Sequence, residues 1–195
     1  MDYIGIVFNY IKKLEYDHTH DIGHILRVTK TSELIAIKEN ADVEVVVLSA
    51  LLHDIARPDE LKGIIKDHAL EGAVRAEAYL KSINYSKYKD VSYCIKTHRF
   101  SNNIIPKTLE AKILQDADKL DALGYIGISR VFMHRNGGNL DERIKHFYEK
   151  ILKLKDLMYT DTAKKLANEK AKIVESFVNG LEKELYYEVY HGKEK

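Results

Sequence analysis

The chain has 195 residues, 45% of them hydrophobic and 31% charged, with 31 Lys and Arg against 30 Asp and Glu. That length can bury a sizeable core and that composition excludes a disordered chain, while a net charge of +1 gives no overall pull toward nucleic acid or anionic lipid. No apolar run approaches ~18 residues, so no membrane span is expected, and one cysteine, Cys94, cannot form an internal disulfide.

The N-terminus runs from apolar to basic, the reverse of a secretory signal, and the expectation is a cytoplasmic protein. Cys94 reads as a small buried apolar side chain. Residues 2–16 carry Ile4, Val7, Phe8, Ile11 and Leu14 at steps of three and four, which predicts an amphipathic helix. Residues 20–40 repeat the pattern through Ile22, Ile25, Leu26, Leu34 and Ile35. Asp42 then caps the next segment, with Val45 three residues on. Residues 43–53, VEVVVLSALLH, contain three consecutive valines that favour a strand by propensity. Their length and their helical neighbours favour a helix apolar nearly all round, stopping near Pro58. Helices over 67–83 and 86–98 open on Asp67 and Ser86. Asn102, Asn103 and Pro106 mark a loop, and Thr108 caps 109–122. A short helix runs through Ile126 and Val131, with Gly124 and Gly127 serving close packing, and Asn136-Gly137-Gly138 breaks it. Helices over 140–155 and 161–186 follow, and 191–195 reads as a frayed tail. With no linker, repeat or low-complexity segment, the expectation is one all-α domain over residues 1–195.

Chemistry concentrates in three places. His53-Asp54 ends the apolar run LSALLHDIARP, where a charged aspartate needs a partner or a metal. In QDADKLDAL, residues 115–123, three aspartates oppose helix propensity. Asp118 and Asp121 share a face and Asp116 points the other way. In HDIGHILRV, residues 20–28, His20, His24 and Arg27 fall on one helical face, and Asp21 is placed to orient the His24 imidazole.

The ordered pattern His24, His53-Asp54, Asp118 resembles the HD-domain superfamily of metal-dependent phosphohydrolases. The similarity extends through ALLHDIARP, DHALEGA, THRFS, LEAKILQDADKLDALGYIGISRVF and TDTAKKLANEKA, over about residues 16–180. Together these motifs resemble a branch of small stand-alone bacterial and archaeal predicted HD hydrolases. The resemblance implies an all-helical bundle and hydrolysis of a phosphoester or phosphoanhydride, often of a nucleotide, with metal ligands His24, His53, Asp54 and Asp118. Such a nitrogen and oxygen set suits Mn2+, the favoured ion, with Mg2+, Co2+, Ni2+, Fe2+ or Zn2+ as alternatives. His68 and Glu71, three apart on one helix, are candidates for general acid or base. Arg27, Arg99 and Lys119 are candidates for binding substrate phosphate, and His98 is a candidate ligand of a second metal. His18, His134, His146 and His191 read as surface residues. Two other readings stay open: a non-catalytic nucleotide-binding regulator and a di-iron oxygenase. The expected partner is a small phosphorylated molecule, with neither membrane nor specific nucleic acid, and a tyrosine-bearing helical surface leaves a homodimer open.

Overall fold

The computed structural model describes residues 1–14, 16, 21–133 and 138–185. His18, His20, His134, His191 and the tail 191–195 lie outside them. Among the described residues every regular element is helical, as the apolar spacing predicts. In chain order these are α1 (Tyr3–Ile11), α2 (Ile22–Glu39), α3 (Val43–Leu52), α4 (Arg57–Leu61), α5 (His68–Ser82), α6 (Tyr88–His98), α7 (Leu109–Asp121), α8 (Gly124–Met133), α9 (Leu140–His146) and α10 (Asp161–Leu185).

The ambiguous valine run is the central helix. Every residue from Val45 to Leu52 in α3 is buried, and α1, α2, α6 and α7 pack around it. Tertiary burial on all sides overrides the strand propensity of three valines. Its start is fixed as the sequence indicates: the Val45 amide donates to Asp42 Oδ1 at 3.2 Å. Asp67 likewise accepts the amides of Ala69 and Leu70 at the start of α5, and Thr108 accepts that of Ala111 at the start of α7. α5 lies on α6, and α8 and α10 close the side of α7. No helix among the described residues is long and apolar enough to cross a membrane. Cys94 is free and buried, and burial pushes its thiol up to about 12.

Three local expectations are corrected. Pro58 does not stop the helix before it, since α3 has already ended at Leu52. Instead Pro58 sits in the first turn of α4, where its missing N–H costs nothing and its fixed φ suits the helix. Ser86 does not cap α6, which begins at Tyr88 without a side-chain cap. The helix expected over 140–155 is α only to His146; a π turn (Phe147–Ile151) and a 3₁₀ turn (Leu152–Leu157) complete it. Phe147, Ile151 and Leu154 are buried at steps of four and three, a spacing that α and wider windings share. Gly127 does serve close packing, because a Cβ there would collide with the carbonyl group of Ala122, the residue that caps the C-terminus of α7.

Candidate metal centre

The ends of five helices converge on one cluster. His24 stands in the first turn of α2, and His53 caps the C-terminus of α3 with Asp54 in the turn beyond it. His68 opens α5, His98 closes α6 and Asp118 belongs to the last turn of α7. His24, His53 and Asp118 offer ligand atoms to one position, and His53, Asp54 and His98 to another, each set within 4.8 Å.

Asp54 lies between the imidazoles, two on each oxygen. Its Oδ2 is 3.8 Å from His24 Nε2 and 3.5 Å from His53 Nε2. Its Oδ1 is 3.4 Å from His68 Nε2 and 3.9 Å from His98 Nε2. Each opposite ring nitrogen lies against an oxygen that can only accept, while Arg130 Nη1 and Arg57 Nη1 also approach His24 Nδ1 and His68 Nδ1 at 3.0 and 3.1 Å. His53 Nδ1 donates to the Ala50 carbonyl at 2.7 Å and His98 Nδ1 to the Ile95 carbonyl at 2.6 Å. His24 Nδ1 donates to Asp121 Oδ2 at 2.7 Å and His68 Nδ1 to Glu60 Oε2 at 2.8 Å. Burial holds His24 and His68 below their ordinary pKa, against the pull of nearby carboxylates. Burial, with His53 beside it, brings His98 down to about 4.

A neutral imidazole protonated at Nδ1 presents a bare lone pair at Nε2. His24, His68 and His98 are therefore acceptors facing acceptors, with His24 Nε2 only 3.3 Å from His53 Nε2. Lone pairs gathered round a carboxylate repel one another unless cations lie among them, so this donor set fits divalent metal. Asp118, 3.5 Å from His24 Nε2 and a third exposed, completes the set toward solvent. Burial works against its ionised form, but His24, His53 and His98 together hold its carboxyl below the usual range.

Two carboxylates brace the cluster, and sequence reading gave neither this position. Asp121 accepts from His24, from Arg27 Nε and Nη2 at 2.7 and 3.0 Å, and from Arg130 Nη1 at 2.6 Å. Despite burial, the bonds from His24 and Arg27 hold it far below the ordinary value. The His24 ring is thus oriented by Asp121; Asp21 instead accepts the His24 backbone amide as the cap of α2. Glu60, on the α4 that the sequence pattern did not reveal, binds His68 together with Arg57 and Arg99, at 2.7 and 2.5 Å respectively.

A cavity over the cluster is lined by Asp54, His68, His98 and Asp118 together with Arg57, Arg99, Lys119, Arg130 and Lys150. Arg99 and Lys119 are therefore at the site. The Lys119 ammonium bonds Gln115 Oε1 and the Leu157 carbonyl, and burial lowers its pKa to about 8. Arg27 is not part of the lining and is taken up by Asp121. Glu71 is not brought to the cluster either: its carboxylate binds Arg75 Nε at 2.9 Å. Asp116 faces away, as the sequence indicates, and accepts the amides of Tyr159 and Thr160 and the Thr160 hydroxyl. Arg57 and Arg130 escaped sequence reading, although Arg57 lies only three residues beyond Asp54.

A family model for the HD domain matches residues 21–123. The Bacillus subtilis protein YpgQ is 33% identical over 181 residues, covering 85% of this chain and 84% of its own. Its structure in complex with ADP aligns with a TM-score of 0.74 at 30% identity, covering 93% of this chain and 97% of that one. An HD-superfamily hydrolase from Bacillus thuringiensis aligns with a TM-score of 0.73 at 32% identity, covering 94% and 96% of the two chains. From a helical bundle whose histidines and aspartates fall where that family's model runs, the conclusion is that this chain belongs to the HD-domain family.

Proposed function

We propose that the chain is a divalent-metal-dependent phosphohydrolase acting on a nucleotide. The observation that carries this reading is the set of imidazoles tied at Nδ1 and turned with Nε2 toward Asp54, beneath a wall of cationic side chains. His24, His53, Asp54 and Asp118 would hold the ion. Once bound, a divalent metal lowers the pKa of a water and polarises a phosphoryl oxygen. The chain's own residues supply the rest. Arg57, Arg99, Lys119 and Arg130 offset phosphate charge from the cavity wall. His68 accepts a proton at Nε2, the ring atom that Glu60 leaves bare. Glu71, bound to Arg75, is given no part. The ADP in the Bacillus subtilis YpgQ structure supports a nucleotide as substrate.

One further observation favours a second ion beside the first: His68 and His98 both present Nε2 to the other oxygen of Asp54. Metal content of the purified chain decides between one ion and two. In a two-ion centre His68 is a ligand, and the proton passes to bulk water or to a phosphate oxygen.

The test is turnover by metal-stripped protein reloaded separately with Mn2+, Mg2+, Co2+, Ni2+ and Zn2+. Nucleoside mono-, di- and triphosphates are supplied, and orthophosphate and pyrophosphate are measured separately. Turnover lost in His53→Ala and Asp118→Ala is the expected result. Saturable nucleotide binding with no turnover in any metal would leave a regulator, and oxygen consumption with two irons bound would mark an oxygenase.

A further inference from the structure

The hydrolase reading leaves open what keeps the phosphate-facing arginines and His68 in register, and α4 supplies an answer. Glu60 Oε2 takes the His68 Nδ1 proton at 2.8 Å and Arg57 Nη1 at 2.7 Å, while Oε1 takes Arg99 Nη1 at 2.5 Å. The His68 backbone amide also reaches Oε1 at 3.3 Å. One half-buried carboxylate thus joins the first residue of its own helix, α4, to the first residue of α5 and the loop after α6. Arg99 is held from its other side by the Ser101 hydroxyl at 2.8 Å. Both arginines line the cavity, and Glu60 does not. The carboxylate therefore stands behind them relative to an incoming anion. A guanidinium carries five N–H donors in a rigid fork, so one edge can be anchored while another is offered outward.

Resting on that hydrolase reading, we propose that Glu60 is a positioning residue, which fixes the tautomer of His68 and sets Arg57 and Arg99 as a paired receptor for a substrate phosphate. The opposite role is physically distinct. If Glu60 merely neutralised the arginines, it would compete with phosphate, and its removal would strengthen anion binding.

The experiment uses the full chain as wild type, Glu60→Gln and Glu60→Ala, with circular dichroism confirming the helical fold of each. Binding of inorganic phosphate is measured by calorimetry, and the His68 tautomer by 15N NMR with and without Mg2+. Glu60→Ala is expected to weaken phosphate binding about tenfold, in line with the loss of one charge-assisted contact. It also moves His68 away from the pure Nδ1–H form. Glu60→Gln keeps an acceptor of the same shape and is expected to restore the tautomer while recovering phosphate affinity only in part. Phosphate bound more tightly by Glu60→Gln, or an unchanged tautomer in Glu60→Ala, would overturn the proposal. Neither readout requires turnover, so a chain that behaves as expected here and hydrolyses nothing would sink the hydrolase reading alone.

Discussion

Asp116 and Asp118 lie two residues apart on α7 and serve opposite ends. Asp118 faces the histidines, whereas Asp116 ties down the segment leading into α10 through two amides and a hydroxyl. Burial raises the Asp116 pKa, and those three donors oppose the rise. Replacing Asp116 with Ala strands buried donors and is expected to cost roughly 2–4 kcal/mol, read from urea unfolding. Metal affinity in this variant is expected to stay close to wild type; a parallel collapse of metal binding would tie Asp116 to the centre instead. Lys119 presents a different balance, because its ammonium is buried yet lies on the cavity. Lys119→Met is expected to lower kcat/KM by about ten- to a hundredfold, the scale of one charge-assisted phosphate contact. Steady-state kinetics of the Mn2+-loaded protein would show it, and unchanged kinetics would remove Lys119 from the substrate's path.

At the scale of elements, α3 tests the argument that burial decides conformation. Leu48 is fully buried in it, and Leu48→Ala is expected to cost about 2–5 kcal/mol, measured by denaturant unfolding. The start of the same helix carries a pH dependence. Lys87 donates to Asp42 Oδ2 at 2.5 Å. Although burial pushes the other way, that bond and the Val45 amide hold the Asp42 carboxyl below its ordinary value. A depressed carboxyl contributes stability above its unfolded pKa of about 3.9. The contribution is lost as pH falls through the lower folded value. Asn is an equally good cap, so Asp42→Asn removes mainly the charge. Its stability deficit should be full at about pH 6 and shrink below about pH 3 as wild-type Asp42 is protonated. A deficit constant across that range would show that the charge contributes nothing.

For the whole molecule, the metal centre is where separate parts of the bundle meet, since its residues come from α2, α3, α5, α6 and α7 and the turn after α3. A ligand that binds only this assembled form stabilises all of it. Metal at about a hundredfold above its Kd should add about 2.7 kcal/mol, or roughly 5–10 °C in Tm for a chain of this size. Chelation should reverse the shift, and His53→Ala should not show it. A Tm indifferent to metal would mean that no ion holds these helix ends together. The amino-acid pattern alone determined the helical class, most helix starts and the polar clusters around His24, His53-Asp54 and Asp118. Apolar spacing, capping residues and carboxylates within apolar runs are local signals that a linear chain displays. Tertiary structure alone decided which side chains turn toward the centre. His24 takes its orientation from Asp121, 97 residues away, not from nearby Asp21, and Arg99 reaches Glu60 across 39 residues. Glu71 belongs to Arg75, and Arg27 to Asp121. Such choices depend on distances between helices that no local spacing encodes, because they are fixed only when the buried faces of α2, α3, α6 and α7 pack together.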